Sequence, residues 1–121
     1  MGQQQLLLTI LVTVLLGIMT ILAINTMQTM TDQSYEDAVR QDILTAASLA
    51  QGYFNKHSMM GGGSNSFSNI TLSHVQLDSV NENGSYSITN RSVTSFTITG
   101  IPAEGPNIVV AEIYQDRLVW Q

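Results

Sequence analysis

The N-terminal part of this 121-residue chain is a long apolar run without any charge. It reads MGQQQLLLTILVTVLLGIMTILAINTMQ, and the first charged residue of either sign is Asp32. The stretch of residues 6–24 is long enough to cross a bilayer as a helix, which takes roughly 20 residues. A typical secretory signal peptide has a basic region before such a run and a small-residue cleavage site after it, and neither is visible. We therefore expect lipid, or other copies of the same segment, to cover it.

The chain after this run is amphipathic, and no Gly or Pro interrupts residues 25–51. Apolar residues recur there mostly at spacings of three or four, which is one face of a continuing helix. They are Met27, Met30, Tyr35, Val39, Ile43, Ala46, Ala50 and Phe54. We predict a single helix over residues 1–57, roughly 80 Å long at the usual rise per residue. Its half from Asp32 onwards can pack on a domain, whereas the half before it must extend beyond that domain.

The helix is predicted to end in a Gly/Ser-rich connector over residues 58–69. The three glycines at 61–63, flanked by Ser and Asn, are a strong helix breaker and indicate a flexible hinge without a binding role. For the segment that follows, we favour a short helix or turn over a strand. Its predicted N-cap is Ser68 or Asn69.

Residues 70–121 are predicted to form a small antiparallel β-domain. Asn83-Gly84 is a turn signal, because both residue types tolerate positive φ. Alternation predicts strands at 85–90 and 94–99, and apolar-rich segments predict two more at 107–115 and 116–121. Consecutive strands suggest a meander whose apolar face is covered by the amphipathic half of the helix. The predicted fold class is α+β, with a long N-terminal helix packed on a small C-terminal antiparallel sheet.

The composition argues against several classes of function. The chain has four Lys and Arg residues and nine Asp and Glu residues. Its net charge of −5 argues against nucleic-acid binding. The absence of cysteine excludes disulfides, thiolate zinc sites and cysteine nucleophiles. His57 and His74 have no second histidine or carboxylate at a metal-ligand spacing. We therefore predict no metal and no cofactor.

No catalytic motif emerges, and we predict that the chain is not an enzyme. Residues 78–84 carry oxygen ligands but break the calcium-loop pattern, so a polar turn is favoured there. The glycine triplet lacks the Lys-Ser/Thr of a phosphate loop, and there is no G-x-S-x-G elbow. Glycosylation sequons at Asn69, Asn83 and Asn90 add a mild indication of a displayed surface, since about two are expected by chance in so Asn-, Ser- and Thr-rich a chain.

The apolar run carries a stripe of small residues on one helical face, formed by Thr9, Thr13, Gly17 and Thr20. Such stripes allow neighbouring membrane helices to approach closely. The alternative is a lipid-facing helix whose small residues are incidental, and we favour the packing role.

A helix that is first wholly apolar and then amphipathic, followed by a small antiparallel sheet, resembles a type IV pilin. The resemblance implies that the apolar helix anchors the subunit in the membrane until the pilus assembly machinery adds it to a filament. If Met1 is the mature first residue, Gln5 falls where the family usually carries a glutamate that pairs with a neighbour's N-terminal amine. An amide there permits a hydrogen bond but no ion pair. The chain also departs from the family in showing no basic leader, no proline near Leu22 and no C-terminal cysteine pair.

The sequence thus predicts the structural subunit of an extracellular type IV pilus-like filament. Its partners would be its own copies in a helical homopolymer, the membrane before assembly, and the assembly machinery. It would lie in the cytoplasmic membrane first and at the cell surface afterwards. Two alternatives stay open: a single-pass membrane protein with a small extracytoplasmic binding domain, and a minor pseudopilin of a secretion or DNA-uptake machine. The predicted assembly residues are Gln5, Thr9, Thr13, Gly17 and Thr20.

Overall fold

A computed structural model describes residues 2–121 and places in them one long helix, two short 3₁₀ helices and four strands. Helix α1 spans Gly2–Asn55, and the 3₁₀ helices span Ser58–Met60 and Leu72–Val75. The strands are β1 (Gly84–Thr89), β2 (Ser95–Pro102), β3 (Val109–Tyr114) and β4 (Leu118–Trp120). The predicted α+β fold class is confirmed. Met1, where the helix was predicted to begin, lies outside the described residues.

The described chain forms two compact units, and we treat each by itself. The first, residues 2–31, is called the apolar segment. The second, Asp32–Gln121, is called the β-unit, and it contains the remainder of α1 and every strand.

The four strands form one antiparallel meander in the order β1-β2-β3-β4, as the sequence predicts. Their register pairs Ser87 with Thr99 between β1 and β2, and Phe96 with Ile113 between β2 and β3. Strand β2 continues beyond the predicted end at residue 99, because its pairing with β1 extends to Pro102 opposite Gly84. Alternation then gives the sheet one buried face, whose side chains include Tyr86, Ile88, Phe96, Ile98, Ala111 and Ile113.

The core of the β-unit joins this buried face to the second half of α1. The helix contributes Val39, Ile43, Ala46, Ala47, Ala50, Tyr53 and Phe54. Gly100 of β2 permits the close approach, since a Cβ there would lie 2.4 Å from Cγ1 of Val39. The buried helical face begins later than predicted. Tyr35 is only half-buried, and Met27 and Met30 are 68% and 64% exposed, because the apolar segment that contains them has no buried residue.

The glycine connector is a hydrogen-bonded cap on the end of α1 and not the flexible hinge predicted from its composition. The Gly63 amide donates to the carbonyl of Tyr53 at 2.8 Å, and the amide of Asn65 donates to the carbonyl of Phe54 at 2.7 Å. Carbonyls at a helix end need such partners. A Cβ on Gly63 would lie 2.2 Å from the carbonyl oxygen of Ser66, so this turn can form only with glycine there.

The segment after the connector contains the short helix that the sequence favours, Leu72–Val75, but its cap differs. The N-cap is Thr71, and the predicted caps Ser68 and Asn69 are wrong. Nδ1 of His74 accepts a hydrogen bond from the Thr71 amide at 3.1 Å, which closes the turn one residue after the buried Ile70. A local side-chain bond therefore sets the helix start.

Asn83-Gly84 is also a different turn from the predicted one. Neither residue has positive φ, and Gly84 is already the first residue of β1. The turn is held by Asn81, whose Oδ1 accepts the amides of Asn83 at 2.8 Å and Gly84 at 3.1 Å. An Asx-type hydrogen bond thus takes the place of a left-handed backbone.

Candidate assembly surface

The large apolar side chains between residues 6 and 30 are all exposed to solvent in the described chain. Their exposed fractions run from 50% for Leu15 to 68% for Met27. Among residues 2–121, α1 is the one helix long and apolar enough to span a membrane. Full burial of a single such side chain is worth about 1.5–3 kcal/mol. An apolar surface of this extent marks a site of contact with lipid or protein.

The threonines of the apolar segment have their hydroxyl groups satisfied inside the helix. Thr9, Thr13 and Thr20 each donate to the carbonyl four residues earlier, at 2.8 Å. A hydroxyl that already has an acceptor can enter an apolar environment without the cost of an unpaired polar group. The stripe therefore combines small size with suitability for burial.

Gly17 and Gln5 complete the predicted set on the same helix. A Cβ on Gly17 would meet nothing within 4 Å, so the described chain itself gives no packing reason for a glycine there. The backbone carbonyl of Gln5 accepts the Thr9 hydroxyl, while the described hydrogen bonds do not include its exposed side-chain amide. All five predicted assembly residues thus lie on one exposed helical segment, spaced by three or four positions.

The two histidines have local structural roles. His57 caps the first 3₁₀ helix, where its Nδ1 accepts the Met59 amide at 3.2 Å. The ring of His74 lies 4.4 Å from that of Tyr53, measured between centroids. Within the described residues, no three His, Cys, Asp or Glu side chains are grouped so as to hold a metal ion.

The three sequon asparagines differ in their accessibility. Asn69 and Asn90 are exposed, whereas Asn83 is half-buried. Nδ2 of Asn83, the atom that a glycan would modify, donates to Oδ2 of Asp42 at 2.9 Å. Asn83 is therefore part of the internal hydrogen bonding of the β-unit.

The main polar cluster of the β-unit was missed from the sequence. Oδ2 of Asp42, on α1, accepts hydrogen bonds from Nδ2 of Asn81 at 3.2 Å, from Nδ2 of Asn83 and from the Tyr86 hydroxyl. Partial burial acts to raise the pKa of Asp42, but the bonds from Asn83, Tyr86 and Asn81 outweigh it, so the pKa lies below its ordinary value. No local pattern could have revealed the cluster, because its members are about forty residues apart in the chain.

A second polar group lies on the same helix. Arg40 donates to Oε1 of Glu36 at 3.1 Å, and its guanidinium carbon lies 5.0 Å from the ring centroid of Trp120. Nδ2 of Asn107 donates to Oε2 of Glu36 at 3.3 Å. The hydrogen bond from Arg40, followed by that from Asn107, lowers the pKa of Glu36. The spacing of four between Glu36 and Arg40 was a visible signal for this pair.

Both clusters tie α1 to the sheet and its loops, and neither presents a nucleophile or an acid–base pair in an enclosed cavity. The exposed surface of the apolar segment is the feature that internal packing leaves unexplained. The chain has no significant match to models of known protein families, to curated proteins or to solved structures.

Proposed function

We propose that this chain is the structural subunit of an extracellular filament of the type IV pilus kind, with the apolar segment as the part that forms the filament core. The observation that carries the proposal is an uncharged helix, exposed along its whole length, that continues into the packed helix of a folded unit. Lipid can cover this helix first, and a bundle of identical helices can replace the lipid without exposing apolar surface to water.

The small-residue stripe favours a polymer over a plain anchor. A helix that only faces lipid has no need of glycine, which costs about 1 kcal/mol relative to alanine in a helix. Gly17 has no close neighbour in its own chain, and the Thr9 and Thr13 hydroxyls are already bonded. Small residues with satisfied polar groups are what membrane helices use where their backbones approach.

Gln5 supports the same proposal at the end of the apolar segment. A buried amide without a partner costs about 1–3 kcal/mol. A neighbouring N-terminus or backbone group would supply that partner in a bundle. We therefore assign Gln5 the role of setting the register between adjacent helices.

The β-unit would then be the displayed part of the filament. The sheet face opposite the core carries hydroxyl side chains, including Ser87, Thr97 and Thr99. With a net charge of −5 on the whole chain, this surface is suited to solvent and not to nucleic acid.

The experiment compares three full-length proteins with a chain that begins at Thr29, each extracted from membranes where needed and freed of detergent. Wild type is expected to form filaments in negatively stained electron micrographs. The chain that begins at Thr29 is expected to be a soluble, folded monomer, because all core residues lie after it. Gly17→Ile should stay in the membrane fraction and lose filaments, whereas Leu15→Phe, which adds bulk on the helix side facing away from Gly17, should assemble normally.

The outcomes separate the competing functions. A wild-type protein that remains a single-copy membrane protein contradicts the filament proposal and supports the membrane-anchored binding domain. Filaments formed by the chain that begins at Thr29 would also contradict it. A normal filament yield from Gly17→Ile would remove the packing role of the stripe, and low abundance of filaments at the cell surface would point to a pseudopilin.

A further inference from the structure

The β-unit has one basic side chain without a partner, Lys56, which directly follows the end of α1 and is the only lysine of the chain. Within residues 2–121, no hydrogen bond or ion pair involves its Nζ. Each of the three arginines has a partner. Arg40 pairs with Glu36, and Arg117 pairs with Asp116. Arg91 donates to the Ile70 carbonyl. Lys56 is thus the basic group left for an external partner.

Lys56 borders an open groove of about 360 Å³, here called the Lys56 groove, together with Gly52, Tyr53, His74 and Gln76. Gly52 leaves the helix surface bare, since a Cβ there would meet nothing within 4 Å. Nδ1 of His74 accepts the Thr71 amide, so the proton of the neutral ring lies on Nε2. The charged and imidazole groups of the groove are therefore donors, which favours an anionic occupant.

The opposite charge lies at the start of the β-unit, in a pair here called the acidic corner, Asp32 and Glu104. The loop after β2 lies against the helix there, because a Cβ on Gly105 would be 3.1 Å from Cβ of Asp32. Neither carboxylate takes part in a hydrogen bond or ion pair among the described residues. Within the described residues, the carboxylates of the acidic corner therefore lack a partner, as the Lys56 ammonium group does.

We propose that the Lys56 groove of one copy binds the acidic corner of the next copy in the filament. The two sites are separated by roughly 36 Å along α1, so they cannot meet within one chain. Two complementary patches at different places on one molecule make a head-to-tail contact, which builds open filaments instead of closed dimers. This inference rests on the proposed filament and identifies the contact between its displayed units.

The net charge of the chain gives this contact a role in choosing the neighbour. Copies with a charge of −5 repel each other in most orientations. A basic groove that meets a carboxylate pair lowers that repulsion in the register that brings these two sites together. Charge complementarity of this kind acts mainly on specificity and on association.

The test uses full-length protein that assembles as detergent is removed, at low and at physiological salt. Lys56→Glu is compared with Arg117→Glu, which changes the net charge equally but lies on the turn between β3 and β4. We expect the critical concentration for assembly to rise about threefold or more for Lys56→Glu, and clearly less for Arg117→Glu. The double variant Lys56→Glu/Glu104→Lys, which has the wild-type net charge, should return to the wild-type value.

Each outcome decides the inference. Equal effects of the two single variants, or a charge swap that restores nothing, would overturn it. Thermal unfolding of the β-unit should be the same in wild type, Lys56→Glu and the double variant, because Lys56 and Glu104 are exposed. A wild type that forms no filament contradicts the proposed function itself. A wild type that assembles while Lys56→Glu behaves like Arg117→Glu contradicts only the contact between displayed units.

Discussion

The two halves of α1 belong to one unbroken helix, but the side chains of the first half are exposed and the second half contributes to the core. Ile18, in the apolar segment, is 51% exposed, whereas Ile43, in the β-unit, is completely buried. Both are isoleucines in the middle of a helix, so intrinsic helix propensity does not explain the difference. What differs is the pattern around them. Charged residues confine the apolar ones to a stripe after Asp32, while the first half is apolar on every side.

The difference shows that the number of apolar residues in a helix and their arrangement around the helix have separate effects. A stripe directs one helix face onto a sheet, and the β-unit has a complete core in which α1 supplies seven buried residues. A helix that is apolar all round has no face to direct, so its burial must come from outside the chain. We therefore expect the second half of α1 to stabilise the fold and the first half to govern assembly.

Among the changes that test this comparison, Ile43→Ala is expected to have the largest effect on stability. Removing a completely buried isoleucine should lower the free energy of unfolding of the β-unit by about 2–5 kcal/mol. Ile18→Ala, the matched change in the apolar segment, should leave it unchanged. Denaturant titration followed by fluorescence of Trp120, the single tryptophan, measures both in detergent. A comparable loss from Ile18→Ala would show that the apolar segment belongs to the fold.

Alanine substitutions at two glycines should have smaller effects on the stability of the β-unit, and the two effects should be opposite in sign. Gly63→Ala should destabilise the β-unit by about 1–3 kcal/mol, because its methyl group would be 2.2 Å from the Ser66 carbonyl oxygen and 2.7 Å from Cε1 of Tyr53. Gly52→Ala should instead stabilise it by up to about 1 kcal/mol, since this helical position is open. Thermal unfolding compares the two, and an unaffected Gly63→Ala protein would favour the flexible hinge after all.

The smallest effect is expected from Asp42, in the dependence of the free energy of unfolding on pH. Because the hydrogen bonds depress the pKa of Asp42, its contribution to stability is present above the ordinary aspartate pKa of about 3.9 and is lost as pH falls through the lowered value. Asp42→Asn should lower the free energy of unfolding by about 1 kcal/mol at neutral pH. The gap from wild type should close in acid, as measured by denaturant titrations across pH.

Asp37→Asn is the control for the pH experiment. Asp37 is an exposed carboxylate on the same helix, and none of the described hydrogen bonds involves it. This variant should keep both the wild-type stability and the wild-type dependence on pH. If Asp37→Asn and Asp42→Asn gave the same profile, the cluster around Asp42 would not be the source of the acid sensitivity.

The sequence by itself determined the elements whose signal is periodic and local. The helix was predicted to end at residue 57 and ends at Asn55, and the first two strands begin within one residue of the predicted positions. Spacings of three or four fill one helix face, and alternation fills one sheet face, so both can be identified without knowing the partner. The membrane-spanning capacity of α1 is equally local, because it depends only on length and composition.

The tertiary structure alone decided the features that depend on residues distant in the chain. Asp42 meets Asn83 and Tyr86 only after the helix lies on the sheet, and this contact engages the side-chain amide of one predicted sequon. The apparent hinge is a tight cap because Gly63 approaches Tyr53 and Ser66 more closely than any Cβ allows. Composition shows which residues permit such contacts, but steric fit and hydrogen-bond partners arise only when the chain brings separate elements together.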